Sequence, residues 1–179
     1  MQTKVLITGA SGFIGSFLVE EALKHGYEVW AGVRTSSSLE HLPKEKIQRI
    51  DLKYNDSEAL SEQIALHVRQ YGVWDYVIHN AGVTKTTRPS DFFLVNAEYT
   101  QRLLTALSQT DCRPAKFLLM SSLSTYAGGN KKTLTPIHLD DPQTPDTLYG
   151  KSKLLAENHV RQQDYFPYII LRPTGVYGP

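Results

Sequence analysis

Within the stretch VLITGASGFIGSFLVEEAL, which starts at Val5, an apolar run stops at Thr8 and glycines stand at positions 9, 12 and 15 before a helical pattern opens. A backbone this bare between a strand and a helix has few uses. The first glycine permits a tight turn, the second lets a ligand approach the main chain, and the third lets the helix pack closely on its strand. The free N–H groups at the helix start then face the turn, and anionic phosphate is what they hold best. The spacing points to the pyrophosphate of a nucleotide cofactor.

The rest of the chain repeats the strand-then-helix theme. Ile14, Leu18 and Ala22 fall at helical spacing, and Gly26 closes that helix. YEVWAGV reads as a second strand, Ile47 to Ile50 as a third, WDYVIH as a fourth, AKFLLMSS as a fifth and YIILR as a sixth. Helical segments are expected from about Asp56 to Tyr71, Asp91 to Gln109 and Leu148 to Gln163. Such alternation predicts an α/β fold: a doubly wound Rossmann-type parallel sheet with helices on both faces. Gly128 to Asp146 is long for a connection inside one domain, and long connections are often functional. Asn130 and its neighbours read as a solvated loop.

Composition narrows the class. The 179 residues are 41% hydrophobic and 21% charged with a net charge of +1, which gives no electrostatic reason to expect nucleic acid or an anionic membrane as partner. Nothing reaches the roughly 18 apolar residues of a membrane span. The first apolar run is already a strand, so no signal peptide is expected. Cys112 is a lone cysteine, which excludes an internal disulfide framework and suggests a reducing compartment. The expectation is a soluble, cytoplasmic protein. The histidines, His79 among them, show no metal-ligand spacing and read as structural or solvated, so no metal is expected. Cys112 reads as inert packing, and Trp30 and Trp74 as strand residues of the core.

Between Val29 and Leu39 there is no carboxylate to accept from the 2′-OH of an NAD ribose; Arg34, Thr35 and Ser36 follow the second strand instead. A guanidinium beside hydroxyls suits a 2′-phosphate, so the residues favour NADP, with NAD the alternative. Asp51, just past the third strand, is placed to meet the adenine amino group.

LYGKSKLLAENHV sets Tyr149 and Lys153 four apart on one helix face. A phenol of pKa about 10 is a poor acid or base at neutral pH, and an ammonium nearby would lower it toward a useful range. The fifth strand delivers Ser121, Ser122 and Ser124 to the edge that the glycine turn occupies, where a serine hydroxyl could hold a substrate oxygen.

These motifs together resemble the extended short-chain dehydrogenase/reductase superfamily, the NAD-dependent epimerase/dehydratase family. The matching segments are TGASGFIG, the DL of Asp51 and Leu52, HNAG, VNAEYTQRLL, SSLSTY, YGKSK and LRPTGVYGP, in that order along nearly the whole chain. The resemblance implies that Gly9, Gly12 and Gly15 cradle the pyrophosphate with backbone N–H groups of Phe13 and Ile14. It implies that Leu52 belongs with Asp51 in the cofactor site, that Asn80, Ala81 and Gly82 line the cofactor, and that Asn96 steadies the active site. Ser122, four residues before Tyr126, would be the catalytic serine and Tyr149 the general acid/base. Lys153 would bind the nicotinamide ribose and depress the tyrosine pKa, with Pro173 and Thr174 near the nicotinamide. The helices beginning near Asp91 and Leu148 form a homodimer interface in the family.

There are departures. Ala127 follows Tyr126 where the family has glycine. HNAG is closer to the single-domain branch. Leu123 and Ser124 occupy the places of the acidic pair of sugar-nucleotide dehydratases, so elimination chemistry is disfavoured. Extended members continue past the YGP motif into a C-terminal region that forms most of the substrate pocket. Residues 1–179 are therefore expected to be one NAD(P)-binding Rossmann domain lacking that region, either shortened or a natural fragment, with activity expected of the parent. The parent is expected to transfer hydride at a carbon bearing hydroxyl or keto, as a nucleotide-sugar epimerase or a ketone or aldehyde reductase. The alternative is a non-catalytic NAD(P)-binding sensor or scaffold.

Overall fold

The computed structural model describes residues 2–127 and 135–178. The strands are β1 (Lys4–Thr8), β2 (Glu28–Gly32), β3 (Gln48–Ile50), β4 (Tyr76–His79), β5 (Lys116–Met120) and β6 (Tyr168–Leu171). They form one parallel sheet in the order β3-β2-β1-β4-β5-β6. Parallel pairing needs crossovers, and these are α1 (Phe13–Lys24), α2 (Ser57–Tyr71), α3 (Ser90–Phe93), α4 (Tyr99–Gln109) and α5 (Leu148–Gln162).

Because side chains alternate across a strand, the central strands β1 and β2 feed two cores. Leu6, Trp30, Val77, Phe117 and Leu119 join Leu60, Ile64, Leu103, Leu107 and Val160 on one face. Val5, Ile7, Val29 and Ala31 join Val19 and Ala22 of α1 on the other. Local signals set the helix starts. Asp56 caps α2 by accepting from the Glu58 and Ala59 N–H groups, each at 3.0 Å, and Thr147 caps α5 by accepting from Gly150 N at 3.0 Å.

Two expectations change. The single helix foreseen from Asp91 to Gln109 is α3 and α4 joined by a π-helical turn over Leu94–Glu98. Trp74 is not on a strand. It lies just before β4, fully buried, with its ring stacked 3.9 Å from that of His67. Cys112 is buried and packed, as expected, and burial pushes its thiol up to about 11. The first part of the long connection, residues 128–134 with Asn130, lies outside the described residues. No helix among the described residues is long and apolar enough to cross a membrane.

Candidate active site

Strand order reverses between β1 and β4, and in such sheets a crevice opens at the carboxyl ends of the strands on either side of the reversal. The glycine turn leaves β1 there. Gly9 has φ of +63°, and a Cβ on it would stand 2.8 Å from Ala81 Cα. A Cβ on Gly15 would stand 2.1 Å from Gly9 O, so only glycine lets α1 fold back onto the turn. Gly12 differs: beyond Gly9 O at 3.3 Å its added Cβ would meet nothing within 4 Å, so it faces the open mouth. Gly12 is also the N-cap of α1, and no side chain caps that helix. This bare, outward-facing start, with the N–H groups of Phe13 and Ile14 in its first turn, fits a pyrophosphate.

The loop after β4 is tied to this turn by Thr8. The Thr8 hydroxyl accepts from Asn80 N at 3.1 Å and Ala81 N at 3.0 Å, and donates to His79 Nδ1 at 2.8 Å. His79 Nε2 in turn donates to Thr100 Oγ1 at 3.0 Å, because that hydroxyl gives its own proton to Asn96 O at 2.8 Å. The chain of donors fixes His79 as the neutral Nε2–H tautomer. Burial pushes its pKa down to about 3, and the Lys153 charge adds to the shift. Asn80 Nδ2 also reaches Gly9 O at 3.3 Å.

Asn96 sits in the π turn, buried. Its Oδ1 accepts from Val83 N at 2.8 Å, while Nδ2 donates to Val83 O and Ser152 Oγ, each at 3.0 Å. Asn80, Ala81 and Gly82 are thereby held between β1 and α5. A Cβ on Gly82 would stand 2.8 Å from Asn96 Oδ1 and 3.2 Å from Lys153 Nζ.

Lys153 is buried and donates to Met120 O at 2.8 Å. Burial pushes its pKa down to about 8, against the opposing charge of Glu157. One turn earlier on α5, half-buried Tyr149 packs edge-on to Phe92 with ring centroids 6.1 Å apart. Ser122 caps a short 3₁₀ turn over Leu123–Thr125, accepting from Ser124 N at 3.1 Å, and its hydroxyl lies against the Tyr149 phenol. Ser122, Tyr149 and Lys153 are thus brought together. The expected depression of the tyrosine pKa is corrected: burial pushes the phenol up, and what opposes it is the Ser122 hydroxyl, while the Lys153 ammonium is bound to Met120 O.

At the far end of the crevice Arg34 is exposed on the loop after β2. Asp51 Oδ2 accepts from Thr35 Oγ1 at 2.6 Å and Thr35 N at 2.8 Å, which joins the ends of β2 and β3. The Thr35 hydroxyl leads in holding the Asp51 carboxyl below its usual range, against burial. The Leu52 side chain does not line the crevice: it is buried in the core cluster with Leu6 and Trp30, because the chain turns inward toward α2. Pro173 accepts at its carbonyl from Leu123 N at 2.9 Å, beside the serine turn, and Thr174 is exposed next to it.

The NAD dependent epimerase/dehydratase family matches the chain over residues 5–179. The chain belongs to this family. A Dictyostelium discoideum UDP-glucose 4-epimerase is 29% identical over 98% of this chain and 55% of its own length. An Oryza sativa subsp. japonica UDP-glucose 4-epimerase 2 is 30% identical over 88% and 40%. Among solved structures, a Thermotoga maritima UDP-glucose 4-epimerase with UDP-glucose superposes with a TM-score of 0.82 at 26% identity, covering 99% of this chain and 57% of that one. A Bacillus cereus UDP-glucuronic acid 4-epimerase in complex with NAD gives 0.78 at 27%, covering 99% and 58%. This epimerase/dehydratase family chain therefore spans about half the length of the solved structures it matches.

Sequence reasoning missed one feature of this family member. Behind the serine turn, Glu157 of α5 is fully buried and accepts from Ser121 Oγ at 2.5 Å and Arg172 Nε at 2.8 Å on Oε1. Its Oε2 accepts from Arg161 Nη2 at 2.7 Å, Arg172 Nη2 at 2.8 Å and Gln143 Nε2 at 2.9 Å. Arg172 also lies 5.3 Å over the Tyr126 ring. The signal available was spacing: Glu157 follows Lys153 by four residues, as Lys153 follows Tyr149.

Proposed function

We propose that residues 1–179 form the dinucleotide-binding half of an NAD-dependent UDP-sugar epimerase. The observation that carries this reading is the convergence of Ser122, Tyr149 and Lys153 at the crevice that the glycine turn opens. The family and the UDP-sugar epimerases among its relatives support the same activity. When bound, the nicotinamide supplies a hydride acceptor that returns the hydride to the sugar carbon. The chain's own residues do the rest. The Phe13 and Ile14 N–H groups hold the pyrophosphate, with Gly9, Gly12 and Gly15 allowing its approach. Asn80, Ala81 and Gly82 line the cofactor, and Pro173 and Thr174 lie by the nicotinamide. Lys153, an ammonium below pH about 8, holds the ribose. Ser122 positions the hydroxyl oxygen, and Tyr149 exchanges its proton. Leu123 and Ser124 offer no carboxyl group for an elimination.

Substrate selection belongs to polypeptide beyond these residues in this reading. Apolar Ile169, Leu171 and Val176, 40%, 44% and 52% exposed around β6, support a further part covering that edge. Exposed Leu148 and Leu155 on α5 support the homodimer face of the same reading. A non-catalytic sensor would have no use for the Ser122–Tyr149–Lys153 arrangement.

A second reading concerns the cofactor alone: exposed Arg34, with no carboxylate from Val29 to Leu39, supports NADP, whereas several of the solved relatives are complexes with NAD. Side-by-side titration of the chain with NAD+, NADH, NADP+ and NADPH tests both. Tighter NAD(H) binding that Arg34→Asp leaves unaltered retires the NADP reading. NADP(H) preference that Arg34→Asp reverses establishes it. In the full-length protein, interconversion of UDP-glucose and UDP-galactose lost in Tyr149→Phe with NAD+ binding retained supports the epimerase. No dinucleotide binding of any kind overturns it.

A further inference from the structure

Glu157 occupies an unusual place for a carboxylate. It is fully buried, yet both oxygens are saturated by five donors drawn from four parts of the chain. Burial alone would push its carboxyl up. The Arg172 guanidinium, the Ser121 hydroxyl and the Gln143 amide outweigh this and hold it below the usual range, so it is an anion at neutral pH. Ser121 is the residue before Ser122, and Arg172 the residue before Pro173. The two segments are also laced directly, by Ser121 N to Leu171 O at 2.8 Å and Leu123 N to Pro173 O at 2.9 Å. On α5 the carboxylate stands one turn beyond Lys153 and two beyond Tyr149, on the same face.

We propose that Glu157 is a positioning residue of the Ser122–Tyr149–Lys153 site: it binds the strand ends that carry Ser122 and Pro173 to the helix that carries Tyr149 and Lys153, and it is the fixed negative charge beside Lys153. The inference rests on the functional reading of that site given above. Arg172 is the partner that orients the carboxylate, through a two-point contact to both oxygens. The Arg172 Nη1 group donates to Tyr126 OH at 3.2 Å and the Tyr126 hydroxyl to Leu139 O at 3.2 Å, so the orientation is anchored as far as the loop before α5.

Charge is what separates this role from simple packing. Lys153 faces the Met120 carbonyl from β5, neutral His79 from β4, the Asn96 amide and Gly82 from the loop and π turn, and Tyr149 and Glu157 on its own helix. Arg161 and Arg172 bind the far side of the carboxylate. Of these groups Glu157 is the anion, and its charge is what resists the loss of the Lys153 proton on burial.

The test is a heteronuclear NMR titration of the Lys153 side chain in the full chain, assigned with Lys153→Arg, alongside urea unfolding and NAD+ binding. Glu157→Gln is expected to move the Lys153 midpoint below the wild-type value. Loosening of the structure alone would hydrate Lys153 and move the midpoint the other way, so an upward shift or no shift overturns the proposal. Should Glu157→Gln fail to fold, Glu157→Gln/Arg172→Met removes the buried pair together, a change that buried ion pairs often tolerate. A downward shift is expected there too, smaller because the more distant Arg172 charge leaves with the carboxylate, and its absence is equally decisive. The functional reading fails separately, if the wild type binds no dinucleotide, and the Lys153 midpoint still reports on Glu157 in that case.

Discussion

Both polar ends of the Asn96 side chain grip the main chain of Val83, Oδ1 accepting from its N–H and Nδ2 donating to its carbonyl. One amide side chain thus replaces a strand neighbour for a loop residue, and the loop it holds runs directly into Gly82, which abuts Lys153 Nζ. The π turn makes this possible. An extra residue in the helical turn rotates Asn96 inward toward both Val83 and Ser152.

Asn96→Ala therefore leaves both main-chain groups of Val83 without their partner in a part-buried place. The expected cost is about 2–4 kcal/mol in urea unfolding, together with weaker NAD+ binding as Gly82 moves. Unchanged stability would mean that Val83 is held by other contacts.

Gly150 carries a second constraint that falls next to Tyr149. A Cβ there would lie 2.1 Å from Ser124 O and 3.0 Å from Pro145 Cβ, so α5 rests directly on the main chain of the serine turn. Gly150→Ala must push the two apart. The expectation is destabilisation of about 1–3 kcal/mol, with NMR shift changes concentrated from Ser122 to Thr125. Shift changes confined to the far end of α5 would contradict this packing.

The parts of this molecule that read clearly from sequence are those with local causes. The glycine turn, the helix starting near Asp56 and the apolar runs of the strands depend on neighbours a few residues away, and they appear where expected. The π turn does not, because apolar spacing from Asp91 to Gln109 reads as one uninterrupted helix whether or not a residue is inserted. Glu157 and Arg172 look like solvated charges in sequence. Only the meeting of α5 with the ends of β5 and β6 buries them, and that meeting is tertiary. Thr8 reads as the end of a strand, since its three side-chain hydrogen bonds come from β4 and the loop after it. The raised tyrosine pKa was likewise unreadable: Tyr149 and Lys153 share a helix face, which suggests a depressed phenol, but the ammonium turns to the Met120 carbonyl and burial pushes the phenol up.

Two buried histidines predict the acid behaviour. His79 is held neutral with its pKa near 3, and His67, whose ring nitrogens find no hydrogen-bond partner among the described residues, is pushed by burial down to about 4, with the Lys4 charge adding. The unfolded chain protonates both near pH 6.5, so it binds more protons than the folded chain below that value. Stability contributed by each is complete above pH 6.5 and is lost as pH falls toward 3 or 4, by roughly 2–3 kcal/mol per histidine at pH 4.5. His67→Phe keeps a ring between Trp30 and Trp74 and removes the orphaned nitrogens. Chemical unfolding at pH 7 and pH 4.5 should show a smaller difference for this variant than for the wild type. An equal difference would show that His67 is not neutral when folded.

Lys153 makes the opposite demand on the fold. Its pKa falls on folding from 10.5 to about 8, because burial disfavours the ammonium. Below pH 8 both states are charged and the full penalty applies. Between pH 8 and 10.5 the folded state has released a proton that the unfolded chain still holds, so stability rises with pH across that window. The shift corresponds to roughly 3 kcal/mol. Lys153→Met removes the charge and keeps an unbranched apolar stem, at the cost of leaving the Met120 carbonyl without its donor. The variant is expected to be more stable than the wild type at pH 7 by about 1 kcal/mol or more, with the gap closing toward pH 10, while NAD+ binding weakens. Stability given up to hold a cation at the site is what a functional lysine costs, whereas a purely structural one would have no reason to be buried there. A Lys153→Met variant less stable than the wild type at pH 7 would show that the Met120 and Glu157 contacts outweigh desolvation, and that the lysine holds the fold together instead.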